Sequence, residues 1–326
     1  DTYGRVLAEL GREDPNIVVL DADLSKSTMT RLFAKEFPDR FFDCGIAEQN
    51  MMGIAAGLAA SGKTVFASTF AVFATSRCFD QLRMSIAQPK RNVKIVATHG
   101  GITVVEDGFS HHAIEDLALA CSLPGFTVVA PADAIETEQV IRAASSTPGP
   151  FYIRLARPKT PVIYSDDYKF ELGKAATLHP GDDAAIIATG IVVPAALSAA
   201  QNLEQQGIHC RVLSLPTLKP LDEAAIVAAA ETGAIVTVEE HLEQGGLGSM
   251  VARVAAREHP VPMSFIAIKD AFTHSGKPEE LLERHGHAAD NIQRTVQSLL
   301  ASKANSISKR KASIQAAGMR DWGWRP

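Results

Sequence analysis

Phe37-Pro-Asp-Arg-Phe-Phe-Asp-Cys-Gly-Ile-Ala-Glu-Gln-Asn50 leads from an aromatic run into a stretch of small residues, Gly53, Ala55, Ala56 and Gly57. Small side chains on a helix let another element approach its backbone closely. The pattern predicts a helix over residues 47–60, with Glu48 in its first turn. Two readings fit Glu48. A carboxylate there complements the partial positive charge of a helix N-terminus. Alternatively, a poorly solvated carboxyl group hydrogen-bonds a heterocycle nitrogen and shares its proton.

Outward from this stretch, short β-branched runs alternate with amphipathic ones. The runs at 17–20, 94–98, 127–130 and 151–155 read as strands, and 47–60 and 134–144 as helices. Strands alternating with helices predict a parallel sheet covered on both faces. The rhythm pauses from Arg157-Pro-Lys-Thr-Pro161 to Tyr168, where two prolines and polar residues read as a linker. A second series follows, with strands at 185–188, 211–215, 234–238 and 264–268. Its helices fall at 194–206, 222–232, 248–258 and near 291–300. The expected fold class is α/β with two doubly wound domains, 1–160 and 173–302, joined by a linker over 161–172. A basic tail, 303–326, closes the chain.

A length of 326 residues suits two such domains. Hydrophobic content of 46% with 21% charged residues is ordinary for globular chains and excludes disorder, collagen and a coiled coil. No apolar run is long enough to span a membrane. Cys44, Cys78, Cys121 and Cys210 show no paired spacing, which argues against a zinc site or a disulfide framework and fits a reducing cytoplasm. From Lys303 onward six basic residues face one acid, so the tail is +5 and the body −10 out of a net −5. A body so acidic is a poor nucleic-acid surface. The tail, with Trp322 and Trp324, reads either as a solvated extension without order of its own or as an arm for an anionic partner.

Three more stretches carry candidate chemistry. In Ser68-Thr-Phe-Ala-Val-Phe73, Phe70 and Phe73 are either core or a stacking wall for a planar ring. In Ala97-Thr-His-Gly-Gly101, His99 follows a strand, and ligands of open α/β sheets bind at that end. In Glu106-Asp-Gly-Phe-Ser-His-His-Ala113, His111 and His112 lack the spacing of metal ligands. They read as surface histidines or as acid–base groups for a hydroxylated substrate. Glu239-Glu-His-Leu-Glu-Gln-Gly-Gly-Leu-Gly-Ser249 lacks the third glycine of a dinucleotide loop, so it reads as a helix start that could hold an anion.

Taken in order, these segments resemble the C-terminal half of transketolase-type, thiamine-diphosphate-dependent enzymes over residues 1 to about 302. The resemblance implies a pyrimidine-binding domain followed by a transketolase C-terminal domain. It implies that Glu48 protonates the aminopyrimidine ring and that Phe70 and Phe73 hold it. Asp23 matches a residue at the cofactor side of the subunit interface. His111 matches the histidine at the substrate hydroxyls and the reacting carbon, and Asp107 the residue that reads the acceptor's hydroxyl. Ser27, His99 and Arg157 match residues gripping the sugar phosphate, as befits a cation that binds phosphate bidentately.

The family binds Mg²⁺ and the diphosphate through a Gly-Asp-Gly motif with a later asparagine. The one Gly-Asp in this sequence, Gly181-Asp182, lies in the second domain with no asparagine at that distance. The chain thus resembles the second subunit of a split transketolase, with no metal ligands of its own. The resemblance implies an N-terminal partner subunit carrying the motif, Mg²⁺ on that partner, an α₂β₂ assembly and sugar phosphate substrates. Two alternatives stay open. One is a 1-deoxyxylulose-5-phosphate synthase-like condensation of pyruvate with a triose phosphate, a family that usually has arginine at the place of His99. The other is a non-catalytic partner subunit.

Overall fold

A computed structural model describes residues 1–104 and 107–318, with side chains through Ala304. The strands are β1 (Ile17–Asp21), β2 (Phe41–Asp43), β3 (Thr64–Phe70), β4 (Val93–Thr98), β5 (Thr127–Val129) and β6 (Phe151–Arg154) in the first domain. The second carries β7 (Ala176–His179), β8 (Ala184–Ala188), β9 (Cys210–Ser214), β10 (Thr217–Lys219), β11 (Ile235–Leu242) and β12 (Met263–Ile268). The first sheet runs β10-β5-β6-β4-β3-β1-β2 and the second β12-β11-β8-β9-β7. Both are parallel except at one edge, where β10 lies antiparallel to β5 and β7 antiparallel to β9.

Strands β1 and β4 are buried along their whole length. Near-continuous apolar runs are what a parallel strand needs when helices cover both faces. The helix Ala134–Ser146 begins with Asp133 accepting from the Glu136 N–H while Glu136 accepts from the Ala132 N–H. That reciprocal arrangement satisfies donors that a helix start otherwise leaves bare.

Three features depart from the sequence expectations. The first is β10, which leaves the second domain to extend the first domain's sheet, so the boundary is crossed once by the backbone. One continuous buried cluster accordingly takes Val65, Ile95 and Val128 from the first domain and Ala185, Ile187 and Leu213 from the second. The second is the linker, which is strapped down. The N–H groups of Ile163 and Tyr164 donate to Asp133, and Gln139 meets both the Tyr168 carbonyl and the Phe170 N–H. The third is the final helix, Ala289–Gly318, which continues through much of the basic tail. The tail's Trp322 and Trp324 lie outside the described residues.

Candidate functional site

The chain moves from β1 outward to β2, then returns across β1 to β3 and β4. The direction therefore reverses between β1 and β3, and a crevice opens at such a point beyond the strands' carboxyl ends. The turn after β1 carries Ser27. Beneath it, fully buried Asp21 accepts from the Thr28 hydroxyl at 2.7 Å, the Thr30 hydroxyl at 2.8 Å and the Leu24 N–H at 2.6 Å. Burial pushes this carboxyl above its ordinary value, against the pull of those three donors. Asp23 is exposed, with φ at +61°. Its N–H donates to Asp43 at 3.0 Å, and the Gly45 N–H donates to the same oxygen at 2.9 Å. The stretch before Glu48 is thereby tied to the turn after β1.

Glu48 opens the helix Glu48–Ala60 with only 4% of its surface exposed. Among the described residues its carboxylate accepts from one side chain, Arg77, at 3.0 and 3.2 Å to its two oxygens. Arg77 also lies over the Phe73 ring at 4.2 Å, a favourable cation–ring contact. It sits in a helical segment with wide, i→i+5 turns, Phe73–Arg77. Such turns are rare and often mark functional sites. The rings of Phe70 and Phe73 lie 5.9 Å apart at 19°. His99 stacks on Phe70 at 3.8 Å, and the His111 ring meets Phe73 edge-on at 5.2 Å.

A cleft of about 660 Å³ opens beside these rings, lined by Ser27, Phe70, His99, Asp107 and Arg157 among others. The backbone at His99 is left-handed, with φ at +59°. Its Nδ1 lies 2.9 Å from the Thr98 hydroxyl. Burial first, and then the charge of Arg157, push His99 down to about 4. At neutral pH it therefore offers an uncharged imidazole, and the positive charge in the cleft comes from Arg157 and from Lys159, an exposed lysine 3.8 Å from Asp1. Arg157 donates to the Val104 carbonyl, which aims it along the cleft wall.

The structure thus brings Ser27, His99, Asp107 and Arg157 around one cleft, with Phe70 as its wall. Phe73 and His111 join through ring contacts, and Glu48 through Arg77. Asp23 stands outside the cleft. Glu106 lies outside the described residues. The adjacent histidines face different ways. His111 turns to the phenyl rings with Ser110 on its Nδ1 at 3.0 Å, whereas buried His112 meets Thr273 of the second domain.

Arg77 was not singled out by sequence reasoning. Its signal is that it is the one charged residue in the apolar stretch from Phe70 to Phe79. The helix start at Gly246 is also not the anion site that the sequence suggested. The Leu247 and Gly248 N–H groups donate to Glu239 at 2.6 and 2.7 Å, so the anion there is the chain's own carboxylate. No group of three His, Cys, Asp or Glu side chains that could hold a metal ion occurs among the described residues. Nor is any described helix long and apolar enough to cross a membrane.

Residues 1–162 match the transketolase pyrimidine binding domain, and residues 173–292 the transketolase C-terminal domain. A protein of Methanocaldococcus jannaschii, named provisionally as a transketolase C-terminal section, is 48% identical, covering 90% of this chain and 93% of its own length. A 6-deoxy-6-sulfo-D-fructose transketolase subunit of Clostridium sp. is 40% identical, covering 95% of this chain and 94% of its own length. A solved structure described as a split gene transketolase, inactive beta4 tetramer, superposes with a TM-score of 0.86 at 50% identity, covering 92% of this chain and 97% of that one. Rat transketolase is matched over only 48% of its length. The chain belongs to the transketolase family and corresponds to the C-terminal section of a split transketolase.

Proposed function

We propose that the chain is the catalytic second subunit of a split, thiamine-diphosphate-dependent transketolase, transferring a two-carbon ketol unit from a ketose phosphate to an aldose phosphate. One observation carries the reading. Contacts run unbroken from Glu48 through Arg77 and Phe73 to His111, Phe70 and His99, and end in the cleft holding Ser27 and Arg157. A buried carboxyl group near two nearly parallel phenyl rings is a donor set suited to a planar heterocycle with a basic nitrogen.

When bound, thiamine diphosphate supplies the nucleophilic carbon and the electron sink for ketol transfer. Glu48 holds and returns a proton at the aminopyrimidine ring nitrogen, with Arg77 fixing the direction of its carboxyl group. Phe70 and Phe73 orient that ring, and Asp23 faces the cofactor side of the subunit interface. His111 moves protons at the substrate hydroxyls, with Ser110 orienting its ring. Asp107 accepts from an acceptor hydroxyl. Arg157 meets the sugar phosphate with a full charge and paired donors, and Ser27 and neutral His99 add hydrogen bonds. The diphosphate and Mg²⁺ belong, on this reading, to an N-terminal partner carrying a Gly-Asp-Gly motif, in an α₂β₂ assembly.

The kinship with a sulfofructose transketolase subunit favours a second reading of the substrate, a sulfonated sugar. Arg157 and Ser27 suit either anion. The test is co-purification with a chain bearing Gly-Asp-Gly, followed by assays with xylulose 5-phosphate and 6-deoxy-6-sulfo-D-fructose as donors. Cofactor- and Mg²⁺-dependent transfer by the pair, absent from either chain alone, is the expected result. No transfer with either donor, or turnover of pyruvate instead, would refute the proposal.

A further inference from the structure

Both glycines of His99-Gly-Gly101 are packed against charged side chains. A Cβ on Gly100 would come within 2.3 Å of Arg154 Nε, and one on Gly101 within 2.1 Å of the Glu240 carboxyl carbon. Glu240 belongs to β11 in the second domain and is only 2% exposed. Its Oε1 accepts from the Ile102 N–H at 2.7 Å and the Thr103 N–H at 2.8 Å. Arg154, buried beside it, donates to the Glu240 carbonyl at 2.8 Å and to the Ala113 carbonyl at 3.2 Å. The Gly101 N–H takes the same Ala113 carbonyl at 2.9 Å.

The second domain also grips the far end of the segment. His112 meets Thr273, and the Leu242 N–H donates to the Ile114 carbonyl at 2.8 Å. Residues 99 to 114, which carry His99, Asp107 and His111, are therefore held at the start and at the end by a domain that contributes none of them. A non-glycine residue in left-handed backbone, as at His99, persists only where its surroundings over-determine it. An apolar side chain at position 240 would leave two buried N–H groups without acceptors. A buried carboxylate is costly unless such donors use it.

We propose that Glu240 is a positioning residue: through the Ile102 and Thr103 N–H groups, the second domain sets the backbone of the His99 turn and hence the geometry of the sugar-phosphate site. This rests on the reading of His99 as a substrate contact, so the test pairs kinetics with a readout independent of activity.

In the reconstituted pair, Glu240→Ala should raise KM for the phosphorylated ketose about 10- to 100-fold, with kcat and thiamine diphosphate half-saturation within about threefold of wild type. Glu240→Gln, whose amide oxygen can still accept both N–H groups, should restore KM to within about threefold. Combining Glu240→Ala with His99→Ala should add little to His99→Ala alone, since both act on one contact. In NMR spectra of the chain itself, the His99 ring resonances, displaced by stacking on Phe70, should shift away in Glu240→Ala and stay in Glu240→Gln.

If Glu240→Ala fails to fold, Gly101→Ala presses on the same turn while keeping the carboxylate, and the same rise in KM and loss of the His99 shift are expected. An unchanged KM and an unchanged His99 resonance in a folded variant would overturn the proposal. So would a parallel loss of thiamine diphosphate saturation, which marks a general structural role. If the wild-type pair carries out no ketol transfer, the proposed function falls, and the His99 resonance alone decides the role of Glu240.

Discussion

Glu48 in the first domain and Glu239 and Glu240 in the second are all buried carboxylates, exposed by 4%, 0% and 2%. They are partnered in opposite ways. Glu239 and Glu240 each accept from two backbone N–H groups fixed by the fold. Among the described residues Glu48 has only Arg77, a side chain that is 51% exposed. A carboxylate held by two backbone donors is fixed in place by the fold. One held by a single displaceable side chain can exchange that partner for a ring nitrogen. On the proposed function the difference separates structural from chemical acids within one chain, although sequence shows all three simply as glutamates.

The largest effect expected from this contrast is at Glu48. Glu48→Gln keeps the volume and an acceptor for Arg77 but cannot carry a proton to and fro. Turnover of the reconstituted pair should fall about 100- to 10,000-fold, the range for losing a proton-transfer group. Thermal unfolding should stay near that of wild type. A fully active, folded Glu48→Gln chain would break the comparison at its centre.

Stability should respond in the reverse order. Glu239→Ala strands two buried N–H groups, at about 1–3 kcal/mol each. Arg77→Gln removes the partner of one buried carboxylate, leaving one group unpaired at about 1–3 kcal/mol where Glu239→Ala leaves two. Denaturant titration of the two variants measures the gap, and a larger loss from Arg77→Gln would invert the assignment. Acidity sharpens the point. Burial pushes Glu239 up to about 7 from its ordinary 4.5. Below that ordinary value, folded and unfolded chains both hold the proton, and the neutral group's contribution is complete. Between 4.5 and about 7 the folded chain keeps a proton that the unfolded chain has released, so stability falls as pH rises. Glu239→Gln lacks this dependence. Its stability should gain on wild type across that window and hold a constant offset above it. Glu136, also raised to about 7, is present in both chains and cancels.

What could be read from sequence follows from how local the cause is. The helix after Glu48, the strand before His99 and the two α/β series rest on periodicity within a few residues. His99 could be placed at a strand end, where a parallel sheet opens its crevice, whereas Ser27, Asp107 and Arg157 were reached only through the resemblance to transketolases. What was missed is non-local. Thr217–Lys219 is too short to declare a partner, and its pairing with β5 is decided by domain packing. Arg77 meets Glu48 across 29 residues of sequence, from a segment of wide helical turns that no local signal announces. Glu240 meets a turn 137 residues away in sequence. The Gly-Gly-Leu-Gly run looked like an open anion seat, because nothing local shows that Glu239 folds back into it.

The finest distinction concerns the charge on His99. A histidine of ordinary acidity would be partly cationic just below neutral pH and would share the anion with Arg157 electrostatically. Burial against Phe70 and the nearby Arg157 charge hold His99 at about 4, so across the working range it contributes only a neutral hydrogen bond. Titration of the substrate phosphate cancels when a variant is compared with wild type on the same substrate. The KM ratio of His99→Asn to wild type should therefore stay constant within about twofold from about pH 5.5 to about pH 8. A ratio that climbs as pH falls through the ordinary histidine range would mean that His99 binds the anion as a cation. It would then join Arg157 and Lys159 as a third cation facing the anionic group proposed to bind there.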